Sequence, residues 1–440
     1  MSSGGGSRPR FRFALLIAII LAAPAPRAAD ISEELAAARR AGDKEAVAAI
    51  ERSIGVSLEV AGRPDETPYA WGFAAEPPAA RGRWGLDVLV ADREDVEGRL
   101  QMASTQAGHF YIAVESMESG NNCLNVYKSA DGGATWSRWF WICPPAGNIV
   151  EPTIAVPEAA EDYVFVGFIH QFENKVARIR TSTGEVAVTA LGTADGIVAP
   201  RMITDNLEYA SYYVYALTDG YRLYRSVDRG ESWTLMPVPA WGFVGEPLSA
   251  DLAYADGHLY ALRSLRIGLR DAWRSVLYSE ISRSDTDGAS WNPAREIGEC
   301  YAARVAAQRG TGRLVAVFNE SLGGPGEVWY AISFDLGNTW GSGGHIFQED
   351  GVSAYAPDIE AGPGEMDDFH CVFLTAAADS VHVRYRATEG GLAWIWNAEA
   401  RQVNDTPDAA HYSPSVAFDW ARGGAGVAWS DTRTPTSAPS

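Results

Sequence analysis

Only four cysteines occur in 440 residues, with no C-x-x-C pair and no Cys/His cluster, so no zinc-binding pattern is present. H-E-x-x-H and G-x-S-x-G are missing, and nothing resembles a phosphate loop or a dinucleotide fingerprint. No cofactor is therefore expected. Long apolar runs are scarce. The one at residues 13–23 is short for a transmembrane helix. Positive charge is in deficit: 36 Lys and Arg face 56 Asp and Glu, a formal net charge of −20. That balance argues against nucleic acid and anionic membrane surfaces as partners. Extended helical patterns are few. What the chain holds instead is aromatic residues (11%, including 15 Trp) and 44 Gly, a composition that favours β structure.

The first residues read as an address. Arg8, Arg10 and Arg12 form a basic region, the apolar run follows, and small residues lead to Ala29. This is the pattern of a secretory signal peptide over 1–29, cleaved near Ala29, with an uncleaved anchor as the alternative. The expected location is secreted or periplasmic, with no membrane insertion after the signal is removed. Removing the segment also removes Arg27, and the mature chain becomes still more acidic. Cys123 and Cys143 lie on segments that one turn would bring together, and in an oxidising compartment they are expected to form a disulfide, with two buried thiols as the alternative.

One eight-residue stretch recurs. Ser129-Ala130-Asp131-Gly132-Gly133-Ala134-Thr135-Trp136 shares the frame S-x-D-x-G-x-[ST]-W with stretches beginning at Ser226 and Ser333. A fourth, from Ser284 to Trp291, has Thr286 in place of the Asp, and a fifth, from Ala387 to Trp394, is worn. The chemistry is that of a turn. A short Asp accepts backbone N–H bonds just downstream, glycine takes φ > 0, and the Trp offers a large apolar face. Asp285-Thr286-Asp287-Gly288 hints at a calcium loop, but the remaining ligands and the terminal Glu are absent, so it reads as the altered copy.

The frame resembles the Asp-box, or BNR repeat, of the sialidase superfamily and other β-propellers. The resemblance covers roughly residues 84–433. It implies a β-propeller in which each box is the turn between the two outer strands of a blade, away from the active site.

Residues 30–54 read as a short helical segment and 55–83, with four prolines, as an irregular linker. From 84 to the end the pattern is β. Small-residue first strands begin near Leu100, Glu151, Ala199, Ser249, Tyr301, Ala356 and Ser413, each followed by an apolar, aromatic second strand. There are seven starts, but the last unit stops after two strands. Because a propeller must close or expose sheet edges, the strand at residues 84–90 is expected to complete a seventh blade, with six blades as the alternative.

In a propeller the first strands surround a central channel. The candidate mouth residues are therefore Glu151, Arg201, Glu246, Asp251, Tyr301, Arg304, Tyr355, Asp358, His411 and Tyr412. Sialidases use three arginines for the substrate carboxylate, a Tyr nucleophile assisted by Glu, and an Asp acid/base. The Tyr departs from the usual pair of carboxylates. On that resemblance Tyr412, Arg201, Arg304, Glu246 and Asp358 are the catalytic candidates. The family's early Phe/Tyr-Arg-Ile-Pro motif is missing; Arg99, the arginine nearest the first inner strand, stands in Glu97-Gly98-Arg99-Leu100. Three functions stay open: a propeller binding a glycan or protein partner through its funnel, an exo-α-sialidase-type glycoside hydrolase acting on an acidic sugar, and a structural assembly module.

Overall fold

The structure, a computed structural model, is an all-β propeller. It describes scattered residues between 37 and 90 and then 97–431, except for 119, 195–198, 206–211, 219, 240, 269–274, 320–325, 364–368, 378–379, 390–391, 397–398, 405–410 and 421–422. The proposed signal peptide and the expected strand at residues 84–89 lie outside the described residues. The chain divides into two units, Met1–Ser53 and Ile54–Ser440. In the first, the described residues Ala37, Ala38, Glu45, Ala46, Ala49 and Ile50 are helical. Among the described residues no helix is long and apolar enough to cross a membrane.

Seven antiparallel sheets follow one another along the second unit. Their first strands, which form the inner ring, are Glu97–Ser104 (blade I), Ile149–Ala155 (II), Arg201–Thr204 (III), Glu246–Ala255 (IV), Tyr301–Gln308 (V), Ser353–Ala361 (VI) and His411–Asp419 (VII). Six blades have four strands or more. Blade VII is described as a two-stranded hairpin, His411–Asp419 with Gly424–Asp431. Three short strands from before residue 84 lie on outer edges: Glu59–Ala61 on blade III, Arg63–Pro64 on II and Ala70–Gly72 on I. This segment thus runs backwards around the rim and covers edges that would otherwise be open to pairing.

The core lies between blades. Apolar clusters join I to II, II to III, III to IV, IV to V, V to VI and VI to VII. A further cluster unites Met102, Phe110 and Trp136 of blade I with Ala417 and Ala428 of blade VII, and this closes the ring. Second strands have a neighbouring blade on both faces. Every residue of Tyr163–His170 is accordingly buried, which explains why that strand reads as an unbroken apolar run.

The recurrent turns are built as their chemistry dictates. Asp131 Oδ1 accepts from Thr135 N at 2.8 Å, and Ser129 Oγ accepts from Gly133 N at 2.8 Å. The same bonds recur at Asp228 and Ser226 and at Asp335 and Ser333. In the altered copy the Thr286 hydroxyl takes the place of the carboxylate and accepts from Ser290 N at 2.8 Å. Gly133 (φ 84°), Gly230, Gly288 and Gly337 occupy the left-handed position of the frame. Cys123 and Cys143 form a disulfide between the two outer strands of blade I, and Cys300 and Cys371 are buried free thiols.

Candidate active site at the funnel mouth

Near the start of the inner strand in six blades, the pairing with the second strand slips. The shifts fall between Glu97/Leu100, Val150/Thr153, Pro247/Ser249, Tyr301/Arg304, Tyr355/Asp358 and Tyr412/Ser415. Glu151 (φ 58°), Ala302 (52°) and Ala356 (51°) adopt left-handed backbone within these bulges. A β-bulge re-aims side chains. Here it sets a ring of charged residues at the end of the channel where the inner strands begin.

Three arginines from three blades act on one another there. Arg99 lies in the bulge of blade I, Arg201 opens the inner strand of blade III, and Arg304 follows the bulge of blade V. The Arg304 pKa is held down to about 10, first by burial, then by Arg201, with Asp251 and Asp358 pulling it back and Arg99 adding to the repulsion. Burial also lowers Arg99, with Glu115 opposing and Arg201 reinforcing the shift. Arg99 forms an ion pair with Glu151. Arg201 has no ion pair among the described residues, and its Nε has no hydrogen-bond partner.

Acidic residues surround these cations. Glu115, on the second strand of blade I, has its carboxyl pushed up by burial against the pull of Arg99 and of Asn122, whose Nδ2 donates to it at 2.6 Å. Glu115 Oε2 also accepts from Glu151 N at 3.5 Å. Asp251 and Asp358 have a different task. Asp251 Oδ2 accepts from Val305 N of the next blade at 2.9 Å, and Asp358 Oδ2 accepts from Val416 N at 3.0 Å and Ser415 Oγ at 2.8 Å. Gln101 does the same for Ile154 N, and Ser415 Oγ for Met102 N. These side chains staple inner strands to their neighbours at four junctions: I to II, IV to V, VI to VII and VII to I. Burial raises the Asp251 carboxyl, with Arg304 and Arg201 opposing.

The other candidates divide. Glu246 is exposed at the start of blade IV and pairs with Arg266 at 3.4 Å, and no described contact joins it to the arginines. Tyr301 is half-buried, and burial raises its pKa. Tyr355 packs against the cluster between blades VI and VII. Tyr412 stands opposite Ser430 immediately before the bulge of blade VII; its side chain and that of His411 lie outside the described residues. Sequence reasoning left Arg99 aside for lack of the tetrapeptide and did not single out Glu115, which sits on a second strand. The only signal for either was the arginine just before an inner strand.

Deeper in the channel is a cavity of about 140 Å³ lined by the later halves of the inner strands, and none of the three arginines lines it. At this far end Arg309 of blade V meets Glu158 of blade II at 2.6 Å, and its guanidinium lies 5.8 Å from the ring centre of Trp420 of blade VII. Glu360 shares this end. Burial, then Glu158 and Asp358, push its carboxyl up to about 8.

Among the described residues, one group brings three residues of metal-ligating type within 4.8 Å of one another: Glu118, Cys123 and Cys143. Its sulfurs are spent in the disulfide, and Arg138 and Asn125 hold the carboxylate, so it does not fit a metal.

No protein-family profile matches the chain, and no curated protein matches it. Solved structures similar to it include sialidase-type propellers at low identity. A Hadza microbial sialidase is 18% identical over 73% of this chain, with a TM-score of 0.39; the match spans 61% of that protein. A protein of unknown function from Dyadobacter fermentans is 12% identical over 72% of this chain and 97% of its own, with a TM-score of 0.45. An intramolecular trans-sialidase from Ruminococcus gnavus is 12% identical over 78% of this chain and 92% of its own, with a TM-score of 0.41.

Proposed function

We propose that the chain binds an acidic sugar at the funnel mouth, with Arg99, Arg201 and Arg304 receiving the ligand's carboxylate. The observation that carries this reading is the mutual repulsion of three arginines gathered from three blades, two of them, Arg201 and Arg304, without an ion pair among the described residues. An arriving carboxylate relieves that repulsion, and guanidinium groups suit its planar geometry. Binding of acidic glycans to the wild type, weakened at least about tenfold by Arg201→Ala, is the expected result on a glycan array followed by calorimetry. Retention of no acidic glycan by the wild type would sink the reading.

A second reading is turnover of an exo-α-sialidase type. It is favoured by Glu115, a carboxyl held toward its protonated form beside Arg99, as a proton donor must be. Tyr412 would serve as nucleophile. Hydrolysis of a fluorogenic sialoside, lost in Tyr412→Phe and Glu115→Gln, supports it; acidic-glycan binding without hydrolysis leaves the protein a binding module.

Export belongs to the same proposal. The Cys123–Cys143 disulfide supports an oxidising compartment. The mature protein is expected to begin just after Ala29, which intact-mass measurement of exported material checks; a mass that retains residues 1–29 refutes cleavage there.

A further inference from the structure

A second polar cavity lies outside the funnel. It has a volume of about 170 Å³ and sits where blade IV meets the outer turn of blade V, with Tyr260, Arg283, Asn292, Arg295, Gly337 and Asn338 on its walls. That is roomy enough for more than one water. Gly337 keeps it open: a Cβ there would sit 3.3 Å from Tyr260 Cε1, and its φ of +76° is one that other residues rarely adopt.

The unspent groups around the cavity are donors. Tyr260 is 1% exposed, yet its hydroxyl has no hydrogen-bond partner. Burial, with Asp285 and Asp256 nearby, outweighs Arg283 and keeps the phenol protonated. The Trp340 indole N–H also lacks a partner, as does that of Trp233 in its own turn, and lies 3.9 Å from the same Cβ position. The nearby carboxylate is used up: Asp285 accepts from His258 Nδ1 at 2.8 Å, Arg283 Nη2 at 3.2 Å and Asn292 Nδ2 at 3.3 Å. Arg283 is in turn committed to Asp285 and to Leu336 O. Arg295, exposed on the outer strand of blade IV, has no ion pair among the described residues. A buried donor without a partner is costly, and a positive charge on the wall of the same cavity favours an anionic acceptor over a neutral one.

We propose that this cleft is a second binding site, separate from the funnel, for a small oxyanion: a sulfate or carboxylate group, free or carried on a sugar. The guanidinium of Arg295 supplies the charge, and the Tyr260 hydroxyl donates from the cavity wall.

The test uses the full chain carrying Arg201→Ala, which weakens the funnel. Sodium sulfate and glucuronic acid are titrated separately by calorimetry. Saturable one-site binding is expected, weakened about tenfold by Arg295→Ala and several-fold by Tyr260→Phe. Binding of sulfate alone assigns the site to a free ion, and binding of both probes to a group borne on a sugar. Tyr260→Phe deletes only an unpartnered hydroxyl, so it is expected to fold with an unchanged or higher Tm; Arg295→Ala alters an exposed residue. No saturable binding of either probe, or binding indifferent to both substitutions, overturns the proposal.

Discussion

Glu360 shows how far one residue's environment departs from what its letter suggests. Its carboxyl titrates near 4.5 when unperturbed and at about 8 in the fold. The folded chain therefore holds a proton that the unfolded chain releases, and stability falls as pH rises from about 4.5 to about 8. Glu360→Gln keeps the shape and removes the charge. It is expected to be more stable than the wild type at pH 9 by roughly 1–3 kcal/mol, after discounting for water in the channel, and close to it at pH 4. Equal denaturation midpoints at pH 9 would refute this account. No sequence pattern marks Glu360, because its perturbation comes first from burial and then from Glu158, distant in the chain, with Asp358 two residues before it adding to the shift. The mouth residues were more legible. Strand order alone pointed to Arg201, which opens its inner strand, and to Arg304 near the start of its own, whereas Asp251 and Asp358 stand midway along theirs. Their division of labour was not legible, because whether an Asp faces a ligand or a neighbour's N–H depends on a bulge that leaves no mark in composition.

At the scale of the element, the repeat frame and the strands were largely written in the chain. Expected first-strand starts fall within four residues of those observed, because buried second strands read as apolar runs and three of the outer turns carry the full Asp, Gly and Trp frame. The three outer-edge strands from before residue 84 were hidden, since two or three residues carry no period and prolines suit an edge. The parts of each box differ in weight. Burial would raise the exposed Asp131, but bonds from Thr135, Ser129 and Ala134 hold its pKa below the usual range. Those bonds fail as pH falls through that lowered value. Asp131→Ala is expected to cost about 1 kcal/mol, in keeping with solvent-exposed hydrogen bonds. Trp136, 6% exposed between blades I and VII, is expected to cost about 3–5 kcal/mol as Trp136→Ala. Urea unfolding of both variants checks the order, and an Asp131→Ala cost equal to that of Trp136→Ala would contradict it.

For the whole molecule the question is closure. The first and last strands of the ring meet through Ser415, whose Oγ accepts from Met102 N at 3.1 Å and donates to Asp358 at 2.8 Å. One hydroxyl thus ties blades VI, VII and I. Ser415→Val is expected to cost about 1–3 kcal/mol and to loosen the seam selectively, with amide exchange accelerated at Met102 more than at Val166, also buried, of blade II. Equal acceleration at both sites would show that closure does not depend on this residue. The sequence pointed to a ring and to its incomplete last blade, but not to the atom that joins the ends, because that contact spans more than 300 residues.

The ion pair between Glu158 and Arg309 has a consequence for traffic. Blades II and V face each other across the axis, so their joined side chains lay a bar over the far end of the channel. A chain threaded through the channel from the far side would have to pass this ion pair before it met the arginines.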